Sequence, residues 1–233
     1  MSASRLPGKP LLKINGLSII SHVSKKAVEA NIGEVIVAAE DQEIVDDVKI
    51  NGFNAILTSN QHKTGTDRIY EALKKSNIKD VDLIMNLQGD EPGIDVDDIK
   101  SLNKKMVKNH SNLGTLAAIL KDNRNFKNEN IVKVITEKKL EEDYFPKAVS
   151  FLRKSEQKDN IYNHIGIYCY SNHCLEKFVQ LDQSKNEIEN RLEQLRALDN
   201  NIDINVSLAK SSPIGVDTEE DFLALKKIME YKN

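Results

Sequence analysis

The residues of this 233-residue sequence whose types and spacing suit chemistry fall in six short segments. Arg5-Leu6-Pro7-Gly8-Lys9-Pro10 sets Arg5 and Lys9 on either side of a Pro-Gly turn, where glycine lets backbone approach a ligand. Two cations there suit a triphosphate, although the same pattern also makes a solvated loop. The spacing is not that of a Walker A loop. In Leu87–Pro92 an apolar run passes into Gly89-Asp90, which puts Asp90 at the carboxyl end of a strand. A carboxylate so placed can hold Mg²⁺ together with phosphate oxygens and water, or simply cap the turn that follows. Asp217 is the candidate second metal carboxylate, just ahead of Thr218-x-x-Asp221, whose spacing resembles a capping box. Thr64-Gly65-Thr66-Asp67-Arg68 opens a helix whose first amides favour anions. Arg68 opposes the helix dipole there, so it either meets a negative ligand or pairs with Glu71. His164, Gly166, Tyr168 and Tyr170 alternate onto one strand face, with the glycine leaving room for an approaching group; an ordinary half-buried strand is the alternative. Glu193 and Gln194 can hydrogen-bond a polyol, or Glu193 can pair with Arg196 on a solvated helix face.

The elements that must position these residues read as short apolar runs alternating with helical patterns. Strands are expected at Glu34–Ala38, Phe53–Leu57, Asp82–Gln88 and Leu113–Leu120. Helices are expected at Asp41–Ile50 (stopped by Asn51-Gly52), Gly65–Lys75 and Asp95–Val107. Such alternation implies parallel crossovers, hence an α/β fold with a mostly parallel sheet covered by helices on both faces. Ligands then bind outside the carboxyl ends of the strands. In the second half, Ile131–Thr136 and His164–Tyr170 show antiparallel alternation, Ile188–Leu198 reads as one helix, Ile204–Ala209 as a strand and Thr218–Tyr231 as a closing helix. The expectation is one domain over residues 1–233, with a small lobe at about 125–180.

Composition removes several classes. With 33 basic and 36 acidic residues, net charge −3, there is no polycationic field, so nucleic acid is not an expected partner. No apolar run of about 18 residues exists, and the first ten residues have no apolar core of a signal peptide, so neither membrane nor export is expected. Cys169 and Cys174 lack a second Cys/His pair at zinc spacing and read as reduced thiols in a cytoplasmic protein.

In their order and spacing, RLPGKPLLKING (5–16), HKTGTDR (62–68), NLQGDEP (86–92), NHIGIYCY (163–170), LEQLRAL (192–198) and GVDTEEDF (215–222) resemble one family. It is the cytidylyltransferases that activate 3-deoxy-manno-octulosonate (Kdo), the CMP-Kdo synthetases. The resemblance covers essentially the whole chain, and RLPGKP combined with QGDEP and LEQLR is its specific part. It implies a Rossmann-like fold of the nucleotide-diphospho-sugar transferase type. It also implies a reaction, in which the anomeric hydroxyl of the sugar acid attacks the α-phosphate of CTP and pyrophosphate leaves, giving CMP-Kdo for lipopolysaccharide core synthesis. On that likeness Arg5 and Lys9 hold the triphosphate, Arg68 and Gln88 place the nucleotide, and Asp90 and Asp217 hold Mg²⁺. Lys9, Asp90 and Asp217 would carry the catalysis, while His164, Tyr168, Glu193 and Gln194 face the sugar acid. A homodimer formed through the second-half lobe is also implied.

Two departures from the family pattern stand out. Family members have an apolar strand ending in an Ile-Pro-Ala-Arg-type turn ahead of RLPGKP, whereas here Met1 leads directly into Ser-Ala-Ser-Arg5. Loss of a central strand is expected to remove ladder partners from its neighbours, which keeps an inactive nucleotide-binding remnant as an alternative. At Tyr144-Phe145-Pro146-Lys147-Ala148 the family carries Tyr-Phe-Ser-Arg-Ala, so Lys147 stands at a substrate-binding arginine position. Lysine offers a point charge where arginine offers a fork, which keeps open another 2-keto sugar acid as substrate.

Overall fold

A computed structural model describes residues 6–120, 122–210, 212–213 and 215–230. In chain order the elements are β1 (Lys13–Ile14), β2 (Leu17–Ser18), α1 (Ile19–Ala30), β3 (Ile36–Ala39), α2 (Gln42–Ile50), β4 (Asn54–Leu57), α3 (Gly65–Ser76), β5 (Leu83–Asn86) and α4 (Val96–Asn109). They continue with β6 (Leu113–Ala118), β7 (Lys133–Thr136), β8 (Ala148–Leu152), β9 (Ile161–Ser171), α5 (Asn172–Val179), α6 (Lys185–Asn190), α7 (Leu195–Asp199), β10 (Asn205–Leu208) and α8 (Glu219–Glu230). The chain divides into two compact units, Met1–Lys79 with Leu87–Ile99 and Pro213–Asn233, and Asp80–Asn86 with Lys100–Ser212.

In the first unit, β1 and β2 form a hairpin turned by Asn15 and Gly16, both at positive φ (49° and 80°), the conformation that a tight antiparallel turn requires. Ser18 caps α1 by accepting from the Ser21 amide. β3 and β4 pair in parallel across α2, which ends at Asn51-Gly52 as its composition suggests. Val37, Ala39, Val45, Val48 and Ala55 form the core between that helix and pair. A second cluster gathers Ile14, Ile19, Val216 and Leu225, tying α8 and the segment before it to the hairpin.

In the second unit, β9 is the organising strand. One edge pairs with β6; the other pairs with β7 and then, further along, with β5. The order β10-β6-β9-β7-β8 curls until β8 returns to β10, through hydrogen bonds from Ala148 N to Ile204 O (2.7 Å) and from Val206 N to Pro146 O (2.8 Å). This contact covers part of the outer edges of β8 and β10, while β5, paired only with β9 among the described strands, remains an edge. Gly114 of β6 lets α4 and Phe145 come close: a Cβ there would lie 2.6 Å from Met106 Sδ and 2.9 Å from the Phe145 ring.

The α/β class stands. Within it, β3–β4 and β6–β10 are parallel, and every ladder on β9 is antiparallel. The single helix expected at Ile188–Leu198 is corrected to two. Ser184 starts α6 early with a full capping box, and Arg191 ends it in the left-handed conformation (φ 54°). The Arg153 guanidinium takes the carbonyls of Asn190 and Arg191, satisfying that end, and α7 begins afresh at Leu195.

Candidate active site

Lys9 opens a single 3-10 turn, Lys9–Leu11, directly after Gly8, whose φ of 69° favours glycine. Its ammonium donates to Asp90 Oδ2 at 2.7 Å and to Asp217 Oδ1 at 3.3 Å. The two carboxylates, far apart in sequence, therefore converge on one cation within the first unit. Two local devices hold them there. The Val216 amide donates to the Asp90 carbonyl (2.9 Å), bolting the two acidic segments together, and the Val216 side chain is fully buried. Asp221 Oδ2 accepts from the amides of Asp217 (3.1 Å) and Thr218 (2.9 Å), while Thr218 Oγ1 accepts from the Asp221 amide. The capping arrangement read from the sequence is therefore real, and it leaves the Asp217 carboxylate available to Lys9. Gly89 sits against Ile20 so closely that a Cβ would lie 2.8 Å from its Cδ1, which keeps the turn tight where Gln88 and Asp90 flank it, both half-buried. Burial draws the Lys9 pKa down, but Asp90 and then Asp217 outweigh it and hold the ammonium above its ordinary value.

Arg68 sits in the first turn of α3, which Thr64 caps. Its guanidinium donates to Thr58 Oγ1 (2.9 Å) and the Ser59 carbonyl (3.1 Å) and forms an ion pair with Glu40. It thus stitches the loops that leave the carboxyl ends of β3 and β4. The expected surface partner, Glu71, is engaged elsewhere: Lys75 (2.6 Å), His62 and the Ser59 amide (2.9 Å) lower its carboxyl to about 2. Arg5 lies outside the described residues.

The remaining candidates lie in the second unit. His164 is half-buried yet ringed by aromatics: Phe151 at 5.0 Å and Tyr168 at 5.5 Å between ring centroids. Burial pushes its imidazole down to about 3, so it is neutral at physiological pH. The ring contacts continue from Tyr168 through Tyr170 to Phe178, over which the Arg196 guanidinium lies at 4.7 Å. Arg196 is fully buried and bidentate to Glu187 (2.8 and 2.6 Å), not on the solvated face allowed for in the sequence. That pair braces the segment bearing Glu193, half-buried, and Gln194, buried at the head of α7. Lys147 instead pairs with Asp203 at 2.6 Å. Cys169 and Cys174 are free and buried, with thiols pushed by burial up to about 12 and about 11, which leaves them inert.

Sequence reasoning missed Glu40, Thr58, Thr115, Glu187 and the burial of Arg196. The one available signal was Thr115, a hydroxyl inside the otherwise apolar run Leu113–Ala118, which the structure buries completely. Among the described residues no group of three or more His, Cys, Asp or Glu side chains is placed to hold a metal ion. The two carboxylates on Lys9 nevertheless fit Mg²⁺, which commonly takes one or two protein carboxylates and completes its shell with phosphate oxygens and water. The ammonium between them marks a point where both already accept positive charge.

A family model described as Cytidylyltransferase matches residues 1–204. The 3-deoxy-manno-octulosonate cytidylyltransferase of Rhizobium etli (strain CIAT 652) is 37% identical over 98% of this chain and 92% of its own. That of Afipia carboxidovorans is 38% identical over 98% and 93%. A solved CMP:2-keto-3-deoxy-manno-octonic acid synthetase, complexed with CTP, matches at TM-score 0.88 and 32% identity over 99% of this chain and 95% of that one. An apo UDP-glucose pyrophosphorylase matches at TM-score 0.69 with 14% identity, covering 100% and 96%, a likeness of fold alone.

Proposed function

Because the chain belongs to the 3-deoxy-manno-octulosonate cytidylyltransferase family, we propose that it transfers CMP from CTP to Kdo, releasing pyrophosphate. The observation that carries the reading is the convergence of Asp90 and Asp217 on Lys9. Transfer of a nucleotidyl group asks little covalent chemistry of a protein; alignment and charge neutralisation dominate. In this reading Lys9 neutralises the triphosphate, with Arg5 beside it in sequence. Asp90 and Asp217 hold Mg²⁺, which when bound supplies positive charge and lowers the pKa of the attacking hydroxyl. Arg68 fixes the loops after β3 and β4, and Gln88 lies on the nucleotide side. His164, Tyr168, Glu193 and Gln194 orient the sugar acid, with Lys147 retained as a further contact by family position. The anomeric oxygen forms its bond to the α-phosphorus as the bond to the bridging oxygen of pyrophosphate breaks.

The reading extends to a homodimer working in the cytoplasm and feeding lipopolysaccharide core synthesis. Its support is the family likeness; for location, no described helix is long and apolar enough to cross a membrane. The test is pyrophosphate release from CTP with Kdo and, in parallel, with a sialic-type acid. Release with Kdo alone supports the reading. Release with the other acid alone, or CTP binding without release, contradicts it.

A further inference from the structure

β9 contains an interruption beside His164. Thr115 registers with Tyr168, but the next residue, Leu116, registers with Ile165, so Gly166 and Ile167 have no partner on β6. The other edge of β9 changes hands at the same place: β7 pairs as far as Asn163, and β5 takes over at Tyr168. Among the described ladders, then, Gly166 and Ile167 are unpaired on both sides. Bulges of this sort commonly sit beside functional sites and re-aim a side chain.

Thr115 fills the interruption. Its hydroxyl is fully buried, lying 2.6 Å from the Ile167 carbonyl, 3.3 Å from the Ile165 carbonyl and 3.0 Å from His164 Nε2. A hydroxyl has one proton and can accept at its lone pairs. Carbonyl oxygens only accept, so the proton belongs on the short bond to Ile167, whose carbonyl lies in the stretch without a ladder. The lone pair then faces Nε2, which must carry the proton. The tautomer of a neutral imidazole is set in this way by the bond its other nitrogen makes, and the burial that keeps His164 neutral leaves one acceptor on the ring.

We propose that Thr115 is a positioning residue that locks His164 as the Nε2–H imidazole, making Nδ1 a hydrogen-bond acceptor for a hydroxyl of the sugar acid. The tautomer stands on this geometry alone; the identity of the donor rests on the function proposed above. The bulge, the threonine and the histidine then work as one device. The interruption leaves Ile167 without a register partner, its carbonyl takes the threonine proton, and the threonine oxygen orients the ring.

Two readouts separate the device from the function. With ¹⁵N-histidine labelling, and the His164 signal assigned by its loss in His164→Gln, the unmodified protein shows at neutral pH a protonated Nε2 and a pyridine-like Nδ1. Thr115→Val, which removes both hydroxyl roles, shifts that signal towards a mixture of tautomers, and Thr115→Ser restores it. In steady state, Thr115→Val raises the KM for Kdo roughly fivefold to tenfold, the size expected for one misdirected hydrogen bond, and leaves the KM for CTP unchanged; Thr115→Ser recovers it. A protonated Nδ1 in the unmodified protein overturns the proposal without reference to any variant. So does a His164 signal unmoved in a folded Thr115→Val protein, or an equal rise in both KM values. Failure of the unmodified protein to release pyrophosphate with any sugar acid would instead contradict the functional reading, while the spectrum would still decide the tautomer.

Discussion

At Lys9, burial and charge pull in opposite directions, and the two acids win. The site is therefore built around a shared positive charge before any substrate arrives. Lys9→Met removes that charge with little change in length. It is expected to lower kcat/KM about a hundredfold to a thousandfold, the cost of one preorganised electrostatic contact in comparable sites, measured as pyrophosphate release. Glu71 offers an independent test at the same scale. Its carboxyl falls from 4.5 to about 2 in the folded protein because Lys75, His62 and the Ser59 amide hold the anion. A depressed carboxylate stabilises the fold above its unfolded pKa, and that stabilisation fades as pH falls from about 4.5 through 2. Glu71→Gln should therefore lower stability at neutral pH and flatten the acid limb between those values, as read by urea unfolding across pH. Much of this scale was legible: Asp90, Asp217 and Thr218-x-x-Asp221 were all visible as strand-end acids and a cap. The partner of Arg68 was not, because Glu40 reaches it across the β3–β4 pair and local spacing offered only Glu71.

At the scale of elements, the Glu187–Arg196 pair shows why periodicity misled. The stripe Ile188, Leu192, Leu195 and Leu198 has helical spacing, yet Ile188 is 59% exposed and Arg196 only 2%. The polar residue, tied to Glu187 beneath Phe178, is the one that belongs inside, so the chain breaks at Arg191 to deliver it. No hydrophobic pattern encodes a buried ion pair whose members lie on different short helices. Arg196→Met leaves Glu187 buried without its bidentate partner and should cost about 3–5 kcal/mol of stability in denaturant unfolding. The double variant Glu187→Met, Arg196→Met should recover most of that loss. The capped starts of α3 and α6 were differently legible. Thr64 stood at the head of an expected helix, whereas the equally local box at Ser184–Glu187 lies ahead of the helix expected at Ile188–Leu198 and was not singled out.

For the molecule as a whole, strand–helix alternation was enough to give the α/β class, and the antiparallel character of β7 and β9 was visible in their alternation. The closure of β8 onto β10 and the two-sided pairing of β9 were not, since a strand's sequence records which face is buried but not which neighbour lies alongside. That pairing has a measurable consequence. β9 is laddered on both edges at Asn163 and at Tyr168, Cys169 and Tyr170, whereas β3 pairs only with β4 and β5 only with β9 among the described strands. Amide exchange should be slowest in Cys169 and Tyr170 and faster at alternate residues of β3, in keeping with the graded local stability of folded proteins; uniform protection across both would contradict this topology. The central claim is tested most directly by pyrophosphate release from CTP and Kdo in Asp90→Asn beside the unmodified protein, with circular dichroism as the check on folding. The account predicts a folded variant whose release falls about a thousandfold or more. A folded Asp90→Asn protein turning over at the unmodified rate would contradict it.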